Sequence, residues 1–199
     1  MSRLRPLTHA ELDDKQVDVW DRLTGRPAVG AFDLVDEQGA LIGPFNAYLH
    51  APDIGRRLAS LGAHLRGEIS LERRLGEVVI CTVGAYWRSE FEFWAHSAMA
   101  IEHGVDPAVL EALRDGRAPS FEHADERAVH AVTSQLLSNR RVDDATYAAG
   151  VDVVGDAGMV ELVALAGYYC LISMTLNLFE VALPDGEAEN WPEHAAHSG

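Results

Sequence analysis

Residues 162–179 include no charged side chain over 18 positions, and this segment constrains the fold more than any other feature of the chain. A run of that length is near the lower limit for a helix that spans a membrane. However, Glu161 and Glu180 bracket the run, and no Lys or Arg cluster flanks it to give the usual orientation signal. The sequence therefore predicts a helix buried at the centre of a water-soluble bundle, with no membrane partner. Several polar residues inside the run support this prediction: Tyr168, Tyr169, Ser173, Thr175 and Asn177.

Apolar residues elsewhere in the chain recur at helical spacing. Ile54, Leu58, Leu61 and Leu65 are separated by four, three and four positions, which is typical of one face of a helix. No segment alternates with period two for long enough to require a sheet. We therefore predict an all-α, packed helical bundle of about seven to eight helices. The predicted helices cover residues 8–23, a segment from 52 onward, 71–86, 89–102, 107–115, 123–138, 143–154 and 157–180.

Glycine and proline punctuation divides the chain into three predicted parts. Residues 1–42 form an N-terminal helix, opened by Thr8 and Glu11 at capping-box spacing, and an irregular loop. Residues 43–184 form the main helical domain, and residues 185–199 form a flexible tail.

The charge balance limits the possible partners. The chain of 199 residues has 16 Lys and Arg against 31 Asp and Glu, a formal net charge of −15, which repels nucleic acid. Cys81 and Cys170 form no metal-binding or redox motif, and both lie in apolar runs typical of buried thiols. The N-terminus lacks an apolar stretch that could serve as a secretory signal, so we expect a cytoplasmic protein.

Ser89, Glu92 and His96 form the densest polar insertion into apolar helix. Their spacing of three and four positions places them on one helical face. Glu77 lies in the preceding, mostly apolar helix and can approach them if the chain turns between the two helices. A histidine beside one carboxylate that orients it and another whose pKa is raised by burial can act as an acid/base pair. This chemistry suits proton removal next to a carbonyl and protonation of the resulting enolate.

Other interpretations of these residues stay open. Ser89 and Glu92 match a capping box, and a lone His96 is often simply a half-buried histidine. Glu77 can be explained by an ion pair with one of three arginines: Arg73, Arg74 or Arg88. Two carboxylates and an imidazole could also hold non-haem iron, but no second Glu-x-x-His or His-x-x-x-His pair supports this. We therefore predict no metal and no other cofactor.

Several further residues are candidates for substrate contacts. Phe45, Asn46 and His50 follow Pro44, where they either begin a helix or line a pocket. Asn177 needs hydrogen-bond partners if it is buried, and these can come from loop backbone or from a ligand. The candidate binding residues are Phe45, Asn46, His50, Arg88, Ser89, Trp94 and Asn177.

Four stretches together resemble the carboxymuconolactone decarboxylase family of the alkyl hydroperoxidase D-like superfamily. They are Gly43-Pro-Phe-Asn, Leu71-x-x-Arg-Leu-x-Glu77, Phe91-Glu-Phe-Trp-Ala-His96 and Leu176-Asn-x-Phe-Glu180 with Leu183-Pro184. The resemblance covers roughly residues 43–184. It implies the all-α fold of that superfamily and homo-oligomers, either trimers or hexamers.

The peroxidase branch of the superfamily has a glutamate, a Cys-x-x-Cys motif and then a histidine, with three residues between the second cysteine and the histidine. The glutamate matches Glu77 and the histidine matches His96, but Ser89 and Glu92 occupy the two cysteine positions. Thiol peroxidase chemistry needs both an attacking and a resolving thiol. The resemblance is therefore to a branch that lacks this motif.

The decarboxylase branch implies proton transfers on lactone carboxylates without a cofactor. On this resemblance His96 donates or accepts the proton, Glu77 orients it, Glu92 completes the relay, and Arg88, Arg73 or Arg74 binds a carboxylate. We predict a cofactor-independent decarboxylase, isomerase or lactone-processing lyase or hydrolase that acts on a small lactone or carbonyl compound. The alternatives are a non-catalytic small-molecule-binding or structural oligomer and, less favoured, a peroxidase-like redox protein.

Overall fold

The computed structural model describes residues 2–25 and 33–192. Within these ranges the chain has eight α-helices and no β-strand, and the all-α prediction is confirmed; two isolated β-bridges join Thr8 to Ala40 and Val35 to Leu41. The helices are α1 (Asp14–Thr24), α2 (Phe45–His50), α3 (Pro52–Gly67), α4 (Arg73–Trp87), α5 (Glu90–Glu102), α6 (Pro107–Arg114), α7 (Ala124–Asn139) and α8 (Asp144–Leu178), preceded by a 3₁₀ turn (His9–Glu11).

Helix α4 is the centre of the bundle. Every residue from Leu75 to Gly84 is buried, and the helix packs against α5, α7 and α8. A helix that is apolar on most sides must be covered on most sides, which is why the sequence predicts it as a buried element. This position places Glu77, on the same helix, inside the core.

Two predicted helix boundaries differ from the structure. The Thr8–Glu11 capping box closes only the 3₁₀ turn, and α1 begins separately, where the Asp13 side chain accepts hydrogen bonds from the backbone N–H groups of Lys15 and Gln16. The two helices predicted over 143–154 and 157–180 form one run, α8, that is interrupted at Gly155 (φ 68°, ψ 175°). Only glycine adopts that backbone conformation readily, so the break falls there.

By length and composition α8 could span a membrane, with a mean hydropathy of 1.7 over its most apolar window. Half of that window is buried inside the protein, as it is in a core helix. The exposed half is also apolar, because Val160, Val163, Met174 and Leu178 recur along one side of the helix.

Part of the predicted C-terminal tail docks onto the helices. Trp191 is buried, and its Nε1 donates a hydrogen bond to the Arg114 carbonyl at 2.8 Å. The Glu90 carboxylate accepts hydrogen bonds from the backbone N–H groups of Asn190 and Trp191, each at 2.7 Å. The rest of the predicted tail, 193–199, and part of the predicted irregular loop, 26–32, lie outside the described residues.

Candidate active site

A tight turn between α4 and α5 brings the predicted acid/base residues together. Arg88 ends α4 in the left-handed conformation (φ 45°), and the backbone N–H of Ser89 donates a hydrogen bond to the Gly84 carbonyl. The chain reverses here, so α5 packs back along α4. Glu77 on α4 therefore faces His96 on α5.

His96 lies between two carboxylates. Its Nδ1 donates a hydrogen bond to Glu77 Oε2 at 2.7 Å, and its Nε2 lies 3.2 Å from Glu92 Oε1, an ion-pair distance without hydrogen-bond geometry. Glu77 Oε1 lies 2.8 Å from Nη2 of Arg73. All three acid/base residues are buried, with exposures of 0% for Glu77, 3% for Glu92 and 7% for His96. The predicted convergence of Glu77, Glu92 and His96 is therefore present in the structure.

Burial and charge push the pKa values of the two carboxyl groups apart. Burial raises the pKa of Glu92 to about 7, because the attraction of His96 only partly offsets the lost solvation and the charge of Glu77 adds to it. Burial acts on Glu77 in the same direction, but the neighbouring His96 and Arg73 outweigh it and hold its pKa below the ordinary value. Glu77 is thus a fixed anion, whereas Glu92 can gain and lose a proton near neutral pH.

The anionic Glu77 also assigns the imidazole tautomer. Because Glu77 can only accept a hydrogen bond, the Nδ1 of His96 carries the proton. In the neutral ring Nε2 is then the unprotonated nitrogen, and it lies 3.2 Å from Glu92 Oε1.

A small cavity of about 40 Å³ lies beside this pair, and we call it the inner cavity. Its walls include Phe45, Arg66, Phe91, Glu92, His96 and Tyr169. Its volume is below the roughly 300–1,000 Å³ usual for ligand pockets, so only a few non-hydrogen atoms fit inside it.

A second cavity of about 520 Å³, the outer cavity, lies between the N-terminal segment, residues 33–47 and residues 179–185. Phe91 lines both cavities. A Cβ at Gly43 would lie 2.7 Å from Cε1 of Phe91, so only glycine allows the backbone to pack this closely against the ring. Phe91 is thus the shared wall between the two cavities.

The capping-box interpretation of Ser89 and Glu92 is wrong. Ser89 occupies the N-cap position of α5 but makes no side-chain capping hydrogen bond, and Glu92 turns toward His96 instead. The ion-pair interpretation of Glu77 is correct for Arg73, and it coexists with the contact to His96. Arg74 instead pairs with Asp125 at 2.6 Å and so lies away from the site.

Among the candidate binding residues near the N-terminus, Phe45 lines the inner cavity. Asn46 lines the outer cavity and also holds the N-terminal segment, since its side chain accepts from Leu7 N–H and donates to the Arg5 carbonyl. Nε2 of His50 lies 2.9 Å from the same carbonyl oxygen of Arg5.

The remaining candidate binding residues lie outside the inner cavity. Trp94 Nε1 donates to Glu187 at 2.9 Å, and Asn177 Nδ2 donates to the Trp87 carbonyl at 2.8 Å. Arg88 terminates α4, and the buried Ser89 hydroxyl has no hydrogen-bond partner among the described residues. Their role as substrate contacts stays a prediction.

Several residues of the inner cavity were not predicted, and Arg66 and Tyr169 are the two that bear on its chemistry. Arg66 comes from the end of α3 and Tyr169 from α8, and neither belongs to a motif near the Glu77–His96 stretch. The available signal was the pair Tyr168–Tyr169 inside an otherwise aliphatic helix.

The two cysteines do not supply a thiol to the inner cavity. Cys81 is fully buried, and burial raises its pKa well above the ordinary value, while Cys170 is half-buried. Within residues 2–25 and 33–192, no group of three or more His, Cys, Asp or Glu side chains is arranged to hold a metal ion.

No family model matches the chain, and no curated protein matches it closely. Solved structures share its fold. An alkylhydroperoxidase AhpD core, an uncharacterized peroxidase-related protein from Ralstonia eutropha, matches with a TM-score of 0.73 and 18% identity, over 92% of this chain and 93% of that chain. The debrominase Bmp8 in complex with 2,3,4-tribromopyrrole matches with a TM-score of 0.67 and 12% identity, over 93% and 95%. A peroxidase-related protein from a Silicibacter species gives 0.63 and 15%, over 82% and 93%. The chain therefore has the alkylhydroperoxidase D-like helical fold.

Proposed function

We propose that this protein is a cofactor-independent acid/base enzyme of the carboxymuconolactone decarboxylase type, acting on a small lactone or enolisable carbonyl compound. The observation that carries the proposal is the buried Glu77–His96–Glu92 constellation at the wall of the inner cavity. Two carboxyl groups with separated pKa values and an imidazole between them are suited to proton transfer near neutral pH.

Each residue has a distinct role in the proposed reaction. The Glu77 carboxylate holds the Nδ1–H of His96 and stabilises the imidazolium when it forms. In an isomerisation, the Glu92 carboxylate or His96 Nε2 removes a proton next to the carbonyl and returns it to another carbon of the enolate. In a decarboxylation, the carbon–carbon bond breaks, its electron pair enters the enolate as CO₂ leaves, and Glu92 or His96 delivers the proton to carbon. The base is then reprotonated from water.

Hydrogen–deuterium exchange tests this proposal without knowledge of the natural substrate. A panel of small lactones and enolisable ketones in D₂O is followed by proton NMR for loss of the signal next to the carbonyl. Because positioned acid/base groups contribute about a hundred- to ten-thousand-fold, Glu92→Gln and His96→Ala should each reduce the exchange rate by that factor. Glu77→Gln should also reduce it, since the amide no longer stabilises an imidazolium.

The chain provides a matched control in His64 and Glu68, an exposed pair 3.1 Å apart on and just after α3. His64→Ala and Glu68→Gln should leave the exchange rate unchanged. Circular dichroism confirms that each variant keeps its helices. Exchange that persists at the wild-type rate in both Glu92→Gln and His96→Ala rules out the assigned site.

A non-catalytic small-molecule-binding oligomer is the second candidate. The inner cavity is small, and Glu77 is engaged by Arg73 as it would be in a purely structural ion pair. Ligand binding without exchange in any member of the panel would support this function.

We also propose that the chain forms homo-oligomers through the exposed side of α8. Val160, Val163, Met174 and Leu178 are each about half or more exposed there, and residues 162–179 carry no charge. Two copies of an acidic chain can meet at this side without bringing carboxylates together. Light scattering after size-exclusion chromatography should show an oligomer for the wild type and a smaller species for Val163→Glu, whereas equal masses would contradict the proposal.

A further inference from the structure

Tyr169 presents an unused donor to the inner cavity. The residue is 2% exposed, and its ring packs edge-on against the His96 ring, with centroids 4.9 Å apart. Its hydroxyl lies near the Arg66 guanidinium but makes no hydrogen bond of regular geometry with any described residue. Burial raises the pKa of Tyr169 above its ordinary value, so the hydroxyl keeps its proton. A buried hydroxyl without a partner is costly, and a ligand oxygen in the cavity would satisfy it.

Arg66 supplies a positive charge to the same cavity. Arg66 is half-buried, and among the described residues no carboxylate forms an ion pair with it. Partial burial opposes its charge, but a guanidinium does not lose its proton in proteins. The guanidinium therefore remains charged at every pH of interest.

The position of Arg66 is fixed by close packing at Gly62. A Cβ at Gly62 would lie 2.2 Å from the Tyr168 hydroxyl oxygen and 3.1 Å from Nη1 of Arg66. The Tyr168 hydroxyl donates to the Leu58 carbonyl at 3.3 Å and lies 3.0 Å from the Tyr48 hydroxyl. The guanidinium is thus held beside a tyrosine pair whose own hydrogen bonds are already made.

We propose that Arg66 and Tyr169 form an oxyanion-binding subsite in the inner cavity, which takes the carboxylate or enolate oxygen of a small planar substrate. The two donors come from α3 and α8, whereas Glu92 and His96 come from α5. A ligand oxygen bound by the donors therefore places the adjacent carbon toward the acid/base pair. A cavity of about 40 Å³ restricts the ligand group to a few non-hydrogen atoms, such as a carboxylate. The catalytic use of this subsite rests on the proposed function, but its ability to bind an anion does not.

Acetate and acetamide are matched probes, because they have the same shape and differ in charge. Binding to the full chain is measured by titration, with the NMR signals of the His96 ring as the local reporter. Acetate should shift these signals, and acetamide should bind at least about tenfold more weakly. Arg66→Met should raise the Kd for acetate by about tenfold or more, and Tyr169→Phe by about three- to tenfold.

Two exposed residues serve as controls, Arg57 on the same helix as Arg66 and Tyr86 on α4. Arg57→Met and Tyr86→Phe should leave the Kd within about twofold of wild type. If Arg66→Met fails to fold, Arg66→Lys replaces it. Lysine retains the charge without the planar fork, so an intermediate Kd is expected.

Two results would overturn the subsite. The first is an acetate titration that leaves the His96 signals unchanged, and the second is an equal Kd in wild type, Arg66→Lys and Tyr169→Phe. If acetate binds with the expected pattern but no compound exchanges protons, the subsite stands and the proposed function fails. If exchange occurs and depends on Glu92, while its KM is the same in Tyr169→Phe and Arg66→Lys as in wild type, the function stands and the subsite fails.

Discussion

Replacing Glu92 by glutamine should stabilise the protein, and by an amount that grows with pH. The raised pKa of Glu92, about 7 against an ordinary 4.5, means that the folded state disfavours its ionised form. Below the unfolded value both states are protonated and no penalty exists. As pH rises, the unfolded chain ionises first while the folded protein retains its proton, so stability falls through this window. Glutamine keeps the shape and never ionises, so the variant avoids the loss.

The magnitude follows from the pKa difference. A change from 4.5 to about 7 corresponds to about 3 kcal/mol, at about 1.4 kcal/mol per pKa unit. Most of it develops between pH about 5 and about 7, and the penalty is constant above that range. The advantage of Glu92→Gln over wild type should therefore grow by about 2–3 kcal/mol between pH about 5 and about 8.

Urea denaturation at one protein concentration, repeated across this pH range, measures the effect. Glu102→Gln, an exposed carboxyl on the same helix, supplies the baseline for loss of one surface charge. The difference in unfolding free energy between Glu92→Gln and Glu102→Gln isolates the contribution of the buried carboxyl group. This difference should increase with pH and become constant near pH about 7.

A Glu92→Gln advantage that stays constant across the pH range would refute the reasoning, because a buried group that titrates normally imposes no such penalty. A variant less stable than wild type at pH about 8 would contradict it as well, since it would mean that the Glu92–His96 contact outweighs the cost of burying the charge.

The remaining predictions concern the helical frame. Gly62→Ala should lower the free energy of unfolding by about 1–3 kcal/mol, because the added methyl group overpacks against Tyr168, and it should also raise the acetate Kd. Gly67→Ala is the control, because a Cβ there would have nothing within 4 Å, and urea denaturation should show it neutral or slightly stabilising. Gly155→Ala should lower stability by about 1–3 kcal/mol because its backbone conformation is open only to glycine; an unchanged unfolding midpoint would contradict this. Asn177→Ala should cost about 1 kcal/mol by removing the hydrogen bond to the carbonyl that ends α4, again measured by urea.

The sequence was sufficient to predict the fold class and the convergence of Glu77, Glu92 and His96, whose acid/base role stays a prediction. Glu92 and His96 are four positions apart, and Glu77 stands in a run with no other charge, so local periodicity alone placed them on facing helices. The Ser89–Glu92 spacing had two equally good interpretations, and only the packing of α5 against α4 decides between them.

Arg66 and Tyr169 could not be found in the same way. Each comes from a helix distant in sequence, and their meeting depends on how α3 and α8 pack around the inner cavity. From the sequence alone, Arg66 is expected to be an ordinary surface arginine, because it directly follows Leu65, the last residue of the apolar face of that helix. The close approach of Arg66 and Tyr168 to Gly62 is a tertiary property.

The ring of Phe91, held against Gly43, stands between a roomy outer cavity and a confined inner one. A compound that occupies the outer cavity and reacts in the inner one binds in two steps, a rapid encounter followed by a displacement of the ring. The observed association rate then reaches a maximum as ligand concentration increases, and this maximum is the rate of ring displacement, not the rate of diffusion. Phe91→Leu would increase that maximum rate and, in the same measurement, shorten the residence time of the bound molecule.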